Sequence, residues 1–275
     1  MPARSSLTRG SLVDLDPDLV ALLSQDELTA ARLELIVTVC RLPVGPWPLA
    51  RANASVATGA GVLVLDGMLA REVLLDDVAS TELVGPGDVV QPWERRDADP
   101  LVRDAVRWSV LAPTRVALLD QRFMASVVRY PHVITVLLER SNDRAQRLAL
   151  TQAISHLTRV DRRLLMFFWH LAERWGRMTS EGVLVPLTLS HRMLGSLVGA
   201  RRPTVSTALG RLAHENQLVR RGDGGWLLPG EPVGLPQTRS NPAVAMRRRL
   251  LLDATASADA ASGTHRVRRG RTPRR

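Results

Sequence analysis

Residues 188–228 constrain this chain more than any other stretch. They hold two short amphipathic segments, Leu189–Val198 and Arg201–Leu212, on either side of Gly199-Ala200. Ser190 stands where the first helix should begin, and its hydroxyl can accept from a backbone N–H that has no helical partner. Met193, Leu194, Leu197 and Val198 fall on one face of that segment. In the second, Val205, Ala208, Leu209 and Leu212 recur at helical spacing, while Arg201, Arg202, Thr204, Ser206, Thr207 and Arg211 share the other face. Pro203 suits a first helical turn, where a missing N–H costs nothing. By itself this is either an ordinary αα-hairpin with a solvated basic face or a helix pair built to enter a DNA major groove.

The next residues separate the two. Leu218-Val219 and Trp226-Leu227-Leu228 flank Gly222-Asp223-Gly224-Gly225, a strong hairpin-turn signal. A hairpin directly after such a helix makes a wing, with Arg220 and Arg221 at its base, close to where phosphates would lie.

The block Leu197-Val198-Gly199-Ala200-Arg201-Arg202-Pro203-Thr204-Val205 with its trailing hairpin resembles the winged helix-turn-helix of the Crp/Fnr family of bacterial transcription regulators. Gly61–Gly67 and Leu83–Asp88 resemble that family's β-roll. The resemblance implies that Arg202 is the main base reader, directed at guanine, and that Thr204 contacts phosphate. It implies that Ser190, His191 and Arg192 fix the DNA backbone. Pro203 and Thr207 occupy positions where the family carries an acid and an arginine, so the half-site sequence should depart from the usual one.

The chain of 275 residues suits two domains. Its net charge of +10 is uneven. Residues 1–130 carry 13 arginines against 17 acids, a net −4; residues 131–187 and 188–237 carry +3 each; residues 238–275 carry +8. Every cation is arginine, the planar fork that suits phosphate and guanine edges. The acidic amino-terminal part is no nucleic-acid surface and needs another kind of partner. No apolar run approaches the ~20 residues that span a bilayer, and no signal-peptide pattern follows Met1, so a cytoplasmic protein without membrane contact is expected. Cys40 is the single cysteine, which excludes an intrachain disulfide. In its apolar run it reads as a small buried hydrophobe and not as a sensor.

From Leu35 to Asp120, β-rich runs at 35–42, 61–65, 68–75, 81–84, 107–111 and 115–119 alternate with turn pairs, and Gln91–Arg103 reads as a loop. Short strands at this spacing mean a sandwich or small barrel. Residues 1–34 read as polar, with a helical stretch near Asp26–Arg32. Pro131 opens a long helix to about Leu157. There Ile134, Leu138, Ser141, Ala145, Leu148, Gln152 and Ser155 follow the 4-3 spacing of a two-helix seam. The same helix could instead pack only on its own β-domain; the family resemblance implies a dimer axis. A further helix at Val160–Trp175 is apolar enough to be core, and a hairpin follows around Ser180-Glu181-Gly182. Residues 229–275 lose all periodicity and read as a disordered basic arm that either follows DNA non-specifically or is only solvated.

The sequence carries no Walker loop, no His/Cys metal cluster and no nucleophile elbow. His170 and His214 read as ordinary helix histidines. Catalysis, metal binding and a fixed cofactor are therefore not expected. The family's β-roll often holds a cyclic nucleotide, through a Gly-Glu stretch and an Arg-Ser or Arg-Thr pair. Here Gly87-Asp88 is followed by Val89-Val90-Gln91-Pro92-Trp93, and the pair's position falls at Asp104-Ala105. Arg103 or Arg107 would have to replace the missing arginine. Trp47, Trp93 and Trp108 read either as core or as the lining of a pocket for another ligand. A cyclic nucleotide is not expected, and the effector is left unknown.

The expectation is thus an α+β protein. A β-roll of jelly-roll type spans 1–130, a dimerisation helix 131–158, a winged helix-turn-helix 159–230 and a basic tail 231–275. Its function would be sequence-specific regulation of transcription, binding an inverted-repeat operator on double-stranded DNA as a homodimer, with RNA polymerase and a small-molecule effector as further partners. Two alternatives remain: a non-specific architectural nucleic-acid binder using the tail, and a protein-interaction module whose winged helix no longer binds DNA.

Overall fold

The alternating apolar runs of the amino-terminal half pair into one antiparallel sheet. In the computed structural model, which describes residues 7–47, 59–92 and 105–230, β1 (Leu7–Ser11), β2 (Ile36–Leu42), β4 (Gly61–Leu75), β5 (Val78–Val84) and β7 (Ala105–Leu119) are ordered β1-β2-β7-β4-β5. The short β3 (Gly45–Pro46) adds to β7, and β6 (Val89–Val90) adds to β4. The loop expected at 91–103 is described only at Gln91 and Pro92. Trp93, Arg103, Asp104 and the basic arm at 231–275 lie outside the described residues.

Two pairs of expected strands are single long ones. The Asp66-Gly67 step is a bulge, not a turn: the β4–β7 register shifts on both sides of Asp66 and again before Leu69. The ladder survives because the buried Thr114 hydroxyl accepts from Met68 N at 3.0 Å and donates to the Ala112 carbonyl at 2.7 Å. Such bulges bend a strand and continue it. The expected turn at Asp76-Asp77 does close the β4–β5 hairpin.

The polar amino terminus does more than expected. Leu7–Ser11 forms an edge strand on β2, although its exposed side chains give it no apolar alternation to read. Helix α1 (Leu12–Leu15) and a 3-10 turn (Pro17–Val20) follow. Helix α2 (Gln25–Glu34) is opened by a capping box between Ser24 and Glu27. Leu12, Leu19, Leu35, Phe123, Tyr130 and Val133 share a core with Leu63 and Leu119 of the sheet.

Helix α3 (Gln121–Val127), capped by Asp120, leads into α4 (Pro131–Ser155), 25 residues long with proline in its first turn. Helix α4 has two unlike faces. Val133, Val136, Arg140 and Ile154 are buried on its own chain. On this side Arg140, Arg144 and Arg147 form a ladder of ion pairs to Asp16, Glu82 and Asp88, with closest contacts of 2.5, 2.7 and 2.5 Å. The seam positions Leu138, Ser141, Ala145, Leu148 and Gln152 are exposed. The helix thus packs on its own β-domain and leaves most of the seam positions exposed.

Helix α5 (Val160–Trp175) opens the carboxy-terminal part, followed by β8 (Arg177–Thr179) and β9 (Gly182–Val185). Helices α6 (His191–Val198) and α7 (Arg202–His214) come next, then β10 (Val219–Arg220) and β11 (Trp226–Leu228). The four strands pair in the order β10-β11-β9-β8. Leu164, Phe168, Leu194, Val198, Val205, Leu212 and Trp226 make one core, with the Phe168 and Trp226 rings 4.8 Å apart.

Candidate nucleic-acid interface

The exposed side of α7 begins with its apolar side. Val205, Ala208, Leu209 and Leu212 are at most 7% exposed, which leaves the helix one way to sit. Arg201, Arg202, Pro203, Thr204, Ser206, Thr207 and Arg211 then all face solvent. Arg201 stands at the N-cap with extended backbone, and Pro203 lies in the first turn, so the amino end of the helix is the part free to meet a groove.

The turn that delivers α7 depends on two glycines. Gly199 closes α6 in the left-handed conformation, φ +65°, which side chains with a Cβ rarely adopt. Gly195 packs where a Cβ would stand 2.4 Å from the Ala200 carbonyl oxygen; that oxygen follows directly on the bond from Ala200 N to the Gly195 carbonyl, 2.9 Å. The helices therefore meet backbone to backbone.

At the front of α6, the Ser190 hydroxyl accepts from Met193 N at 3.2 Å, as a cap should. The neighbouring His191 Nδ1 lies 2.9 Å from Ser206 Oγ, so two expected DNA-contacting residues from different helices are held together. Ser206 and Thr207 also donate to the carbonyls of Arg202 and Pro203, both at 3.2 Å. Their hydroxyl protons are used within the helix, and what they can offer a ligand is mainly an acceptor oxygen.

The six arginines expected at the interface fall into two groups. Among the described residues, Arg192, Arg201 and Arg202 are exposed and form no salt bridge. Arg220 lies over the Trp226 ring at 5.6 Å, a cation–π contact that stiffens the base of the wing. The other two are engaged. Arg221 pairs with Glu181 of the neighbouring hairpin. Arg211 donates to Asp161 at 3.2 Å.

Asp161, near the start of α5, was not legible as a site residue. Its side chain is buried, and it accepts from Arg159 at 2.5 and 3.1 Å and from Arg162 N at 2.9 Å. These donors, Arg159 foremost, hold its carboxyl down to about 2 against the burial that would raise it. Arg163 was missed too. It donates to the carbonyls of Leu157, Val198 and Gly199 at 2.5, 3.3 and 2.9 Å, joining the end of the long helix to the turn before α7.

On the amino-terminal side, a cavity of about 320 Å³ opens between the sheet and α4, lined by Arg71, Val90, Gln91, Trp108, Ser141 and Arg144. Trp108 meets Trp47 edge to face, with ring centres 5.9 Å apart. Arg71 and Arg144 both reach Glu82, at 3.7 and 2.7 Å. Arg107 is taken by Glu72 at 3.2 Å, and Ala105 is exposed at the start of β7. Among the described residues, no three His, Cys, Asp or Glu side chains stand together as metal ligands.

A capped helix, a glycine turn, a polar-faced second helix and a wing define a winged helix-turn-helix. Residues 162–229 match the Crp-like helix-turn-helix domain. The described chain has the fold of several solved structures. One is a cyclic nucleotide-binding domain containing protein from Listeria monocytogenes EGD-e, 18% identical, TM-score 0.57, covering 78% of this chain and 96% of that one. Another is a CooA mutant from Carboxydothermus hydrogenoformans, 17% identical, TM-score 0.53, covering 82% and 93%. A third is a transcriptional regulator of the CRP family from Thermus thermophilus, 18% identical, TM-score 0.51, covering 69% and 91%. No curated protein matches the chain in sequence. The chain thus carries a Crp-like helix-turn-helix domain within a Crp/Fnr-type α+β fold, as the resemblance at residues 188–228 implied.

Proposed function

We propose that this chain regulates transcription by binding an inverted-repeat site on double-stranded DNA as a homodimer. One observation carries the reading. The apolar side of α7 is fixed in the core, while the front of its other side presents Arg201, Arg202 and Thr204 to solvent, with no competing ion pair among the described residues. A basic, solvated helix end of this kind suits base edges and phosphates in a major groove.

The exposed seam on α4 supports the homodimer: Leu138 is 65% exposed, and Leu148 is 37% exposed, which a second copy of the helix would cover. The 320 Å³ cavity against the same helix is where a small-molecule effector would act. Its arginines already share Glu82, and this favours an effector other than a cyclic nucleotide. RNA polymerase as a partner and a cytoplasmic location follow from the same reading. Among the described residues no helix is long and apolar enough to cross a membrane.

Selection of bound duplexes from a random pool, with the full chain at fixed salt, tests the proposal. The expected result is a palindromic consensus bound at least a thousandfold more tightly than random duplex, within the range of specific DNA readers. Enrichment without a consensus would make the chain an architectural binder. No salt-dependent binding to any duplex would make the winged helix a protein-interaction module.

A further inference from the structure

Apart from the turn between α4 and α5, the sheet and the winged helix meet through side chains, and one carboxylate dominates that contact. Asp88, at the end of the Gly85-Pro86-Gly87-Asp88 turn, is 2% exposed. It accepts from Gly85 N at 2.9 Å, from Arg147 of α4 at 2.5 Å and from Arg174 of α5 at 2.8 Å. Arg174 also donates to the Pro86 carbonyl at 2.7 Å and lies over the Trp175 ring at 4.8 Å. A few residues before the turn, Thr81 of β5 donates to Ser196 of α6 at 2.8 Å. Met68, Leu83, Leu111 and Ala112 complete the contact as apolar packing on the winged-helix core.

Each carboxylate in the ion pairs here is shared by two arginines. Arg71 and Arg144 share Glu82, and Arg147 and Arg174 share Asp88, so four guanidinium groups answer to two carboxylates. Burial, foremost, and the nearby Arg174 lower the pKa of Arg147, while Asp88, and after it Asp143 and Glu82, oppose them. If Asp88 lost its charge, Arg147 and Arg174 would lose the one carboxylate they share, and Asp143 and Glu82 would offset only part of the repulsion on Arg147. Such an arrangement holds firmly while intact and opens when broken. Asp88 is also followed directly by Val89 and Val90, which wall the 320 Å³ cavity, so whatever moves that wall moves the carboxylate.

We infer that Asp88, Arg147 and Arg174 form an ionic latch that sets the orientation of the winged helix on the sheet domain and thereby tunes DNA affinity. The second half of this inference rests on the function proposed above. A dimer reading two half-sites about 34–36 Å apart needs both heads held in register, and a loosened head loses affinity through the freedom it must give up on binding.

The test uses the full chain with Cys40→Ala and spin labels on cysteines replacing the exposed Leu33 and Met178, diluted with unlabelled protein so that each dimer carries one labelled copy. The wild-type latch should give one narrow distance distribution. Asp88→Asn should broaden or displace it and weaken binding to a selected duplex at least fivefold. Arg32→Ala, which removes an exposed pair with Asp14, should change neither reading. If Asp88→Asn does not fold, Arg174→Gln breaks the same contact from the other side and carries the same expectations. Distributions that superpose on wild type overturn the latch. An altered distribution with unchanged affinity overturns its role in DNA reading. If the wild type binds no duplex, the proposed function fails, and the distances alone still decide whether the latch exists.

Discussion

The Arg163 Nη1 donates to the Gly199 carbonyl at 2.9 Å while its Nε holds the Leu157 carbonyl. One side chain thus spans the end of the long helix and the turn that aims α7. Charge-assisted bonds to carbonyls are stronger than neutral ones, about 1.5–3 kcal/mol each. Arg163→Ala should lower stability by about 1–3 kcal/mol and weaken duplex binding beyond what lost stability accounts for. Arg163→Lys, which cannot span both carbonyls with one planar fork, should recover stability more than binding. Urea unfolding and a duplex titration on both variants check this. Full recovery of binding by lysine would reduce Arg163 to a simple charge.

Arg202 stands at the free amino end of α7, exposed and without a salt bridge among the described residues. Arg202→Ala should cost about 1–3 kcal/mol on the best duplex and relax preference at one base position. A parallel titration on random duplex decides the role: equal loss on both would mark a phosphate contact and not a base reader.

The parts legible in sequence were those fixed by local chemistry. The Ser190 cap, the Gly199 turn, the buried side of α7 and the wing around Gly222–Gly225 each follow from residue type and spacing. Those same signals pointed to Arg202 and His191; the structure leaves Arg202 exposed and sets His191 beside Ser206 of the second helix. What stayed hidden depends on distant partners. Nothing in the sequence near Asp161 says that Arg211, fifty residues on, will be drawn to it. Nothing near Leu7 says that a polar segment will pair with β2. The arginines at 140, 144 and 147 did carry a signal, since that spacing lines one helix face. The heptad pattern on the adjacent face is the stronger signal in the sequence.

Asp161 offers a test in pH. Its folded carboxyl lies near 2, below the usual value of 3.8, because Arg159, Arg162 N and Arg211 favour the ionised form. A depressed acid stabilises the fold at pH values above its unfolded pKa, and that contribution fades as pH falls from about 4 towards 2. Asp161→Asn should lower the melting temperature at pH 7 and bring mutant and wild type together as pH approaches 2. Melting curves recorded between pH 2 and 7 measure both. A gap that stays constant down to pH 2 would mean that packing, not charge, accounts for the loss.

The seam of α4 predicts an assembly. Leu138→Asp with Leu148→Asp should give monomers that hold half-sites weakly, because both side chains are exposed in the single chain and would face a symmetry mate in the proposed dimer. Sedimentation of the wild type is the decisive measurement. A monomer at micromolar concentration, with a palindromic duplex present, would end the dimer reading.

The cavity predicts a negative result with cyclic nucleotides. A bound cyclic phosphate brings a charge into a partly closed space, and that charge needs a cation and oriented donors. Among the described residues, the side chains nearest to this task are committed elsewhere. Arg71 and Arg144 meet Glu82, Arg107 meets Glu72, and the Gln91 amide faces the Ala60 carbonyl at 3.4 Å. Pro92 has no N–H to offer. To take up a phosphate, Arg144 would have to leave a two-point contact, 2.7 Å at each oxygen, and Glu82 would be left facing a second anion. Calorimetry with cyclic AMP and cyclic GMP should therefore show no heat of binding at millimolar ligand. A micromolar dissociation constant for either would mean that Arg103 or Arg107 takes the phosphate, or that Glu82 releases its arginines on binding. In the second case Glu82→Gln should tighten that binding, since it frees both guanidinium groups in advance. If Glu82→Gln instead creates affinity where the wild type has none, the wild-type cavity is closed to phosphates by this one carboxylate, and its natural occupant is a molecule that leaves the Arg144–Glu82 pair intact.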